Sequence, residues 1–386
     1  MIDRNFISPP SAYFLFGPRG TGKSTWIRDH YPEAYIVDLL PTKTALSYQR
    51  NPGQIIQEVL ALKKDRWVVL DEIQRVPELL DDVHALMENH GYKRFVLTGS
   101  SARKLKRGAS NLLAGRAITR NLFPLNEAEV EFSIPPEQLI RYGNLPGRIN
   151  LHDKEQFEDF LTSYVDTYIS EEIKSEGLVR NIGSFARFLD VAALAAGTQI
   201  NITGLARDAG ISRDTVRGYF SIFEDTLLGS WLPAYRPRAK VKEVVSPKFY
   251  WFDSGVLNAA TGAFRQPMPS DWQGVLFEHW IHHEIRSYLD YSRSRGSLGF
   301  WRTPSGSGID FVWWYGDDIV PIEVKSSKEV RPSVVKSIRS LSEHKKFRAS
   351  YIVYLGEKEL RMGDTWVLPA TNFLKKLHKG EILGIA

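Results

Sequence analysis

Gly17-Pro18-Arg19-Gly20-Thr21-Gly22-Lys23-Ser24 is the stretch that decides how the first third of this chain folds. The apolar run Tyr13-Phe14-Leu15-Phe16 precedes it, and helical spacing follows from Lys23 to Tyr31. That is the strand–loop–helix setting in which G-x-x-x-x-G-K-[ST] cradles phosphate. Its glycines let the backbone curl with N–H groups turned inward. The N-terminus of the next helix adds positive partial charge. Gly17, Pro18, Arg19, Gly20, Thr21, Gly22, Lys23, Ser24 and Thr25 are the expected contacts to a nucleoside triphosphate, with ATP the expected ligand. Lys23 is expected to reach the β- and γ-phosphates, and Ser24 to place its hydroxyl on Mg²⁺.

Working outward, Tyr35 to Leu39, Trp67 to Leu70 and Phe95 to Thr98 are strand-like, whereas Gly53 to Lys63 and Glu78 to Asn89 carry helical spacing. Strands alternating with helices predict a parallel sheet. Trp67-Val68-Val69-Leu70 ends in Asp71-Glu72. Asp71 is expected in the Mg²⁺ shell and Glu72 as the base that polarises the attacking water. The strand Arg94 to Thr98 ends in Gly99-Ser100-Ser101, so that either Thr98 or Ser100 lies beside the γ-phosphate.

The chain has 386 residues, enough for two or three domains, and a soluble composition of 43% hydrophobic and 25% charged residues. It has no cysteine, which excludes disulfides, Cys-ligated zinc, iron–sulfur clusters and a thiol nucleophile. No apolar run approaches the roughly 18–20 residues of a membrane span. The first residues lack a basic-then-apolar leader pattern, and a cytoplasmic location with no membrane partner is expected. The net charge of +5 permits a nucleic-acid partner without demanding one.

With the phosphate loop, the run Asp71-Glu72-Ile73-Gln74, the strand end Leu97 to Ser101 and Leu113-Ala114-Gly115-Arg116-Ala117 in view, the chain resembles AAA+-type ATPases with a DUF4143 region, over nearly its whole length. The resemblance implies an ASCE-class parallel sheet, a small helical lid and a winged-helix region. It also aligns Arg116 with an arginine beyond the third strand, acting either as a finger in trans across a homo-oligomer interface or as a sensor in cis. The plain alternative is a structural Arg–carboxylate pair.

The middle of the chain supplies a helix–turn–helix pattern between Ile200 and Phe223. Leu205 and Ala206 lie on the first helix, Gly210 makes the turn, and Ser212 caps the second helix. Val216, Tyr219 and Phe223 face inward there. Arg213 and Arg217 are presented outward, and Arg236, Arg238, Lys240, Lys242 and Lys248 form a basic wing in the stretch Trp231 to Phe252. Basic helix plus wing suits DNA, and packing or protein contact is the rival reading. Ala263 to Ser270, with its two prolines, reads as a linker.

The last block reads helix, three strands, helix, strand. Asp310 opens one strand, and Glu323 and Lys325 share a face of the next. Glu278 shares the inward stripe of the preceding helix with Ile281 and Ile285. Charges on such apolar strands are costly unless paired or metal-bound. The pattern resembles the PD-(D/E)xK nuclease core. There the strand carboxylates hold a divalent metal, the helix Glu supports it, and the lysine orients water or stabilises charge. Mg²⁺ or Mn²⁺ fits such ligands. The bland reading is a Glu323–Lys325 ion pair in a nuclease-like fold that cuts nothing. The expected architecture is α/β throughout. It comprises a P-loop ATPase domain over 1–130, a helical lid over 131–195, a winged helix over 196–265 and a PD-(D/E)xK-like domain over 272–386.

Overall fold

The protein is described by a computed structural model covering residues 2–100, 116–169, 182–236, 246–265, 267–303 and 306–383. Two compact units emerge. One is Phe6–Pro124 with Ser221–Leu228, and the other is Met1–Asn5, Leu125–Phe220 and Gly229–Ala386.

In the first unit, β1 (Tyr13–Phe16), β2 (Tyr35–Asp38), β3 (Val68–Asp71), β4 (Phe95–Gly99) and β5 (Ile118–Asn121) form one sheet. The order is β2-β3-β4-β1-β5, and every pairing is parallel. The connections carry α1 (Lys23–His30), α2 (Thr42–Arg50), α3 (Gln54–Leu60) and α4 (Leu79–His90). Every residue of β1, β3 and β4 is buried, as expected of a parallel sheet covered on both faces. Phe14, Leu70 and Leu97 pack with Leu79, Leu80, Val83 and Leu86 of α4. Because β3 and β4 insert between β2 and β1, the carboxyl ends of β1, β3 and β4 lie side by side. That edge is where open α/β sheets bind ligands.

The second unit contains α5 (Pro136–Tyr142), α6 (Lys154–Ser163), α7 (Ile182–Leu194), α8 (Ile202–Ala209) and, up to Phe220, α9 (Arg213–Asp225). An antiparallel pair follows, β6 (Gly229–Leu232) with β7 (Lys248–Trp251), and then α10 (Ser254–Ala260). The 22-residue α11 (Ser270–Tyr291) leads into a six-stranded sheet. Its strands are β8 (Ser297–Arg302), β9 (Gly308–Tyr315), β10 (Asp318–Lys325), β11 (Ser350–Tyr354), β12 (Leu360–Met362) and β13 (Thr365–Pro369), with α12 (Lys336–Ser342) between β10 and β11 and α13 (Ala370–His378) at the end. β8, β9 and β10 are antiparallel, and β10, β11 and β13 are parallel.

Residues 263–270 do not separate two bodies, since the segments on either side fall in the same unit. The reason is visible at β6. The chain beyond it runs on to β8, with Tyr235 N–H donating to the Phe300 carbonyl at 2.6 Å and Phe300 N–H to the Pro233 carbonyl at 3.0 Å. These bonds join the β6–β7 pair to the six-stranded sheet.

Helix α11 is buried on nearly all sides, so its polar residues need internal partners. His283 Nε2 meets the Leu125 carbonyl at 2.9 Å. Glu284, with no exposure, accepts the Glu127 backbone N–H at 3.1 and 3.2 Å and lies 3.1 Å from His378 Nε2. Burial, with Glu284 adding and Lys375 opposing, pushes the Glu127 carboxyl up to about 8. Its folded value therefore lies above the ordinary 4.5, so its contribution to stability is full below about pH 4.5 and is lost as pH rises through 8. Glu127→Gln should flatten that decline. Urea unfolding across pH 5–9 should show wild type losing on the order of 2–4 kcal/mol relative to the variant as pH rises.

Candidate functional site

The loop after β1 is shaped by contacts that exclude larger residues. A Cβ on Gly17 would collide with the Leu122 carbonyl oxygen. Gly20 and Gly22 take left-handed φ of 82° and 88°. Thr21, fully buried, donates from Oγ1 to the Pro18 carbonyl at 2.9 Å. Helix α1 starts at Lys23, so its first N–H groups open toward the loop. Lys23 Nζ donates to the carbonyls of Gly17 (2.6 Å) and Pro18 (3.1 Å), lying along the inside of the loop. Arg19 and Thr25 are exposed and Pro18 is buried.

The two acids stand on the far side. Ser24 Oγ donates to Asp71 Oδ2 at 2.8 Å, and Thr98 Oγ1 donates to Asp71 Oδ1. Asp71 is thus fixed from both sides by hydroxyls of the loop helix and of β4. Glu72 carries a left-handed φ of 61°, a conformation that costs a non-glycine residue about 1–3 kcal/mol and collects at functional sites. Its N–H donates to Thr98 Oγ1 at 3.2 Å. Its carboxylate accepts from Gln74 Nε2, which also donates to Ser100 Oγ at 3.2 Å. Thr98 and Ser100 both enter the network: Thr98 steadies Asp71 and the Glu72 backbone, and Ser100 steadies Gln74. Sequence reasoning gave Gln74 no role. Its signal was a polar residue two positions beyond Glu72. The Gln74 Oε1 atom is buried without a hydrogen-bond partner, 2.6 Å from where a Cβ on Gly99 would stand.

Arg116 lies on the surface, its Nε paired with Glu88 of α4, both side chains about two-fifths exposed. Ser101 and Leu113-Ala114-Gly115 lie outside the described residues.

In the second unit the sequence-selected charges gather around a group that was assigned elsewhere. Lys248, expected on an exposed basic wing, is buried, because β7 faces the six-stranded sheet instead of solvent. Lys248 Nζ lies 2.8 Å from Glu278 Oε1, 3.9 Å from Asp310 Oδ1 and 3.5 Å from Tyr250 Oη. The Tyr250 hydroxyl also donates to Glu278 Oε1. Asp310 Oδ2 accepts the Val324 N–H at 2.9 Å, and Lys325 Nζ sits 2.6 Å from Glu323 Oε1. The β9–β10 ladder ends with Phe311 opposite Ile322, and Asp310 and Glu323 are the next residues beyond that end. Burial, then repulsion from Glu278, raises the Asp310 carboxyl to about 6, with Lys248 and Lys325 opposing. Burial, then repulsion from Asp310, raises Glu323 to about 7. Glu323 Oε2 is buried with no hydrogen-bond partner. Asp310 and Glu323 thus ask for positive charge, whereas the Oε1 oxygen of Glu278 is already held by Lys248 and Tyr250. Among the described residues no three His, Asp or Glu groups are disposed to hold one metal ion.

Helices α8 and α9 meet at a turn where Gly210 takes φ 65°. Asn201 Oδ1 caps α8, and Ser212 Oγ accepts the Thr215 N–H at 3.1 Å. Between α7 and α8, Gln199 bridges β7 at Lys248. Arg213, Arg217 and Arg236 are exposed, Arg217 3.0 Å from Asp214. Arg238, Lys240 and Lys242 lie outside the described residues.

Comparison with known proteins divides the chain into three matches. Residues 9–131 match an AAA domain, residues 136–266 a domain of unknown function (DUF8612), and residues 273–373 another (DUF4143). The first carries the loop, Asp71, Glu72, Thr98 and Arg116, and it implies nucleotide binding by this segment. Uncharacterized proteins of Mycobacterium tuberculosis and Mycobacterium bovis are each 25% identical over 384 residues, covering 96% of this chain and 82% of theirs. An uncharacterized protein of Methanocaldococcus jannaschii is 21% identical over 306 residues, 72% of this chain and 67% of its own. No helix among the described residues is long and apolar enough to cross a membrane.

If Gln74 steadies Glu72, Gln74→Ala should slow nucleotide hydrolysis about ten- to a hundredfold. Nucleotide affinity, read by fluorescence of a labelled analogue, should stay within about twofold.

Proposed function

We propose that this protein is an ATP-hydrolysing switch that works on DNA: the first unit turns over Mg²⁺-ATP, and the second binds the nucleic acid and carries a nuclease-like domain. The observation that carries the first half is the line of groups Ser24–Asp71–Thr98 with Glu72 beside it, set against the glycine loop. The loop N–H groups and Lys23 take the β- and γ-phosphates, exchanging the Gly17 and Pro18 carbonyls for phosphate oxygens. Ser24 and Asp71 form an all-oxygen donor pair suited to Mg²⁺, which when bound neutralises charge developing between the β- and γ-phosphates. Glu72, held by Gln74, accepts the proton of the attacking water, and Thr98 keeps Asp71 and the Glu72 backbone in register. An Arg116 finger would require a homo-oligomer, and the exposed Glu88 pair leaves its guanidinium at the surface for that role.

Support for DNA comes from the chain order α7, the Gln199 bridge, α8, α9, β6, β7, which is the order of a winged helix, with Arg213 and Arg217 outward on its second helix and Arg236 beyond β6. The order α11, β8, β9, β10, α12, β11, with Asp310 and Glu323 next beyond the end of the β9–β10 ladder and Lys325 two residues on, supports a PD-(D/E)xK-like core. Asp310 and Glu323 would hold Mg²⁺ or Mn²⁺ there, the unpartnered Glu323 Oε2 being the free donor, and the ion would polarise a phosphodiester. The position of Lys248 favours a second reading, in which this domain grips nucleic acid without cutting it.

Lys23→Ala should abolish tight ATP binding. Glu72→Gln should keep binding but cut turnover about 10²–10⁴-fold in a phosphate-release assay. Normal turnover by both variants would sink the assignment. For the second unit, Arg213→Glu with Arg217→Glu should weaken duplex binding about tenfold or more and lower the slope of log affinity against log salt by about one per lost phosphate contact. Fluorescence anisotropy across a salt series reads both, with basal ATPase as the control for folding.

A further inference from the structure

Lys248 stands 62 residues before Asp310 in the chain, yet its ammonium lies inside the C-terminal carboxylate cluster. We propose that Lys248 is the resident cation of this site, and that it holds the place between Glu278 and Asp310 that a divalent metal would need. The proposal rests on the nuclease-like reading of residues 272–386 and says how that site behaves in this chain: Asp310 and Glu323 take up a divalent metal only when the Lys248 ammonium leaves its seat.

Four contacts cage the ammonium: Glu278 Oε1 at 2.8 Å, the Tyr250 hydroxyl at 3.5 Å, Asp310 Oδ1 at 3.9 Å and the Phe300 ring, whose centroid is 5.5 Å away. The Lys248 side chain is only 10% exposed. Glu278 is held as firmly, because its other donor, Tyr250, is stacked on the His282 ring at 4.2 Å and lies 4.8 Å from His279. The Oε1 oxygen, held by an ammonium and a phenol, cannot turn to a metal without losing both. Nor can the lysine back away easily. Its strand position is set by Leu232 on one side and Gln199 on the other, and the Ile200 N–H bonds the neighbouring Pro247 carbonyl at 3.0 Å. Lys325 does not fill the place between Glu278 and Asp310, since its ammonium is paired with Glu323 and its side chain is 42% exposed. With Lys248 in place, a second cation between Glu278 and Asp310 would meet like charge at contact distance in a poorly hydrated site, where repulsion is strong. The lysine arrives on a strand whose partner β6 continues into hydrogen bonds with β8. The cation is therefore part of the sheet framework rather than a mobile surface side chain.

The test uses the full chain without nucleotide, titrated with Mn²⁺ by calorimetry and followed by thermal melting, in wild type, Lys248→Met and Lys248→Arg. Wild type and Lys248→Arg should take up Mn²⁺ at this site at least about tenfold more weakly than Lys248→Met. Lys248→Met should melt lower than wild type in metal-free buffer and recover on adding Mn²⁺. Asp310→Asn in the Lys248→Met background should remove that recovery. Mn²⁺ uptake by wild type as tight as by Lys248→Met, and abolished by Asp310→Asn, overturns the proposal while leaving the nuclease-like reading standing. No Asp310-dependent uptake by a folded Lys248→Met overturns both. If Lys248→Met does not fold even with Mn²⁺, the wild-type titration decides: Asp310-dependent uptake overturns the proposal, and its absence upholds it.

Discussion

A carboxylate taken out of water costs several kcal/mol unless a cation or a set of donors meets it, and the interior of this protein is organised around that demand. Asp71 is met by two hydroxyls, Glu284 by a backbone N–H and His378, Glu278 by an ammonium and a phenol, and Asp310 by a backbone N–H of the next strand. Each of these partners comes from a different element than the acid it serves. The compensation therefore ties elements together: β3 to β4 and α1 in one unit, and α11 to β7, α13 and the Leu125–Glu127 segment in the other. Where compensation is incomplete, at Asp310, Glu323 and Glu127, the carboxyls are pushed toward the neutral form.

The parallel sheet was legible because its strands are continuous apolar runs bounded by glycine and charge, and the phosphate loop because its residues are consecutive. The helix Thr42–Arg50 and the edge strand Ile118–Asn121 went unread. The first opens on polar residues, and the second is partly exposed and shows no alternation. At the nucleotide site the sequence narrowed the sensing residue to Thr98 or Ser100. The choice was unresolvable because the two act on different partners, one on Asp71 and one on Gln74. Glu278, Asp310, Glu323 and Lys325 were found together because strand and helix periodicity put them on common faces.

Lys248 was misplaced for a different reason. Counted with Arg236, Arg238 and Lys240, it looked like one more basic residue of a surface hairpin. The clue was its company. In Lys248-Phe249-Tyr250-Trp251-Phe252 a lysine and a tyrosine sit at i and i+2 on an otherwise aromatic strand, and a charge on a face of that kind must have a partner waiting. That partner is 30 residues away on α11, a pairing that spacing alone cannot disclose.

The hydrogen bonds between the segment after β6 and β8 also bear on how such a chain can be inherited. Residues 136–266 and 273–373 match two separately recognised domains, as though they were interchangeable cassettes. Here the first supplies the lysine and the phenol, and the second supplies the acids they neutralise. Recombination in the proline-containing stretch between them would hand each new partner a buried charge with nothing to answer it, together with an uncovered strand edge at β8. Exchange of either segment alone is expected to cost stability unless Lys248 and Glu278 change together.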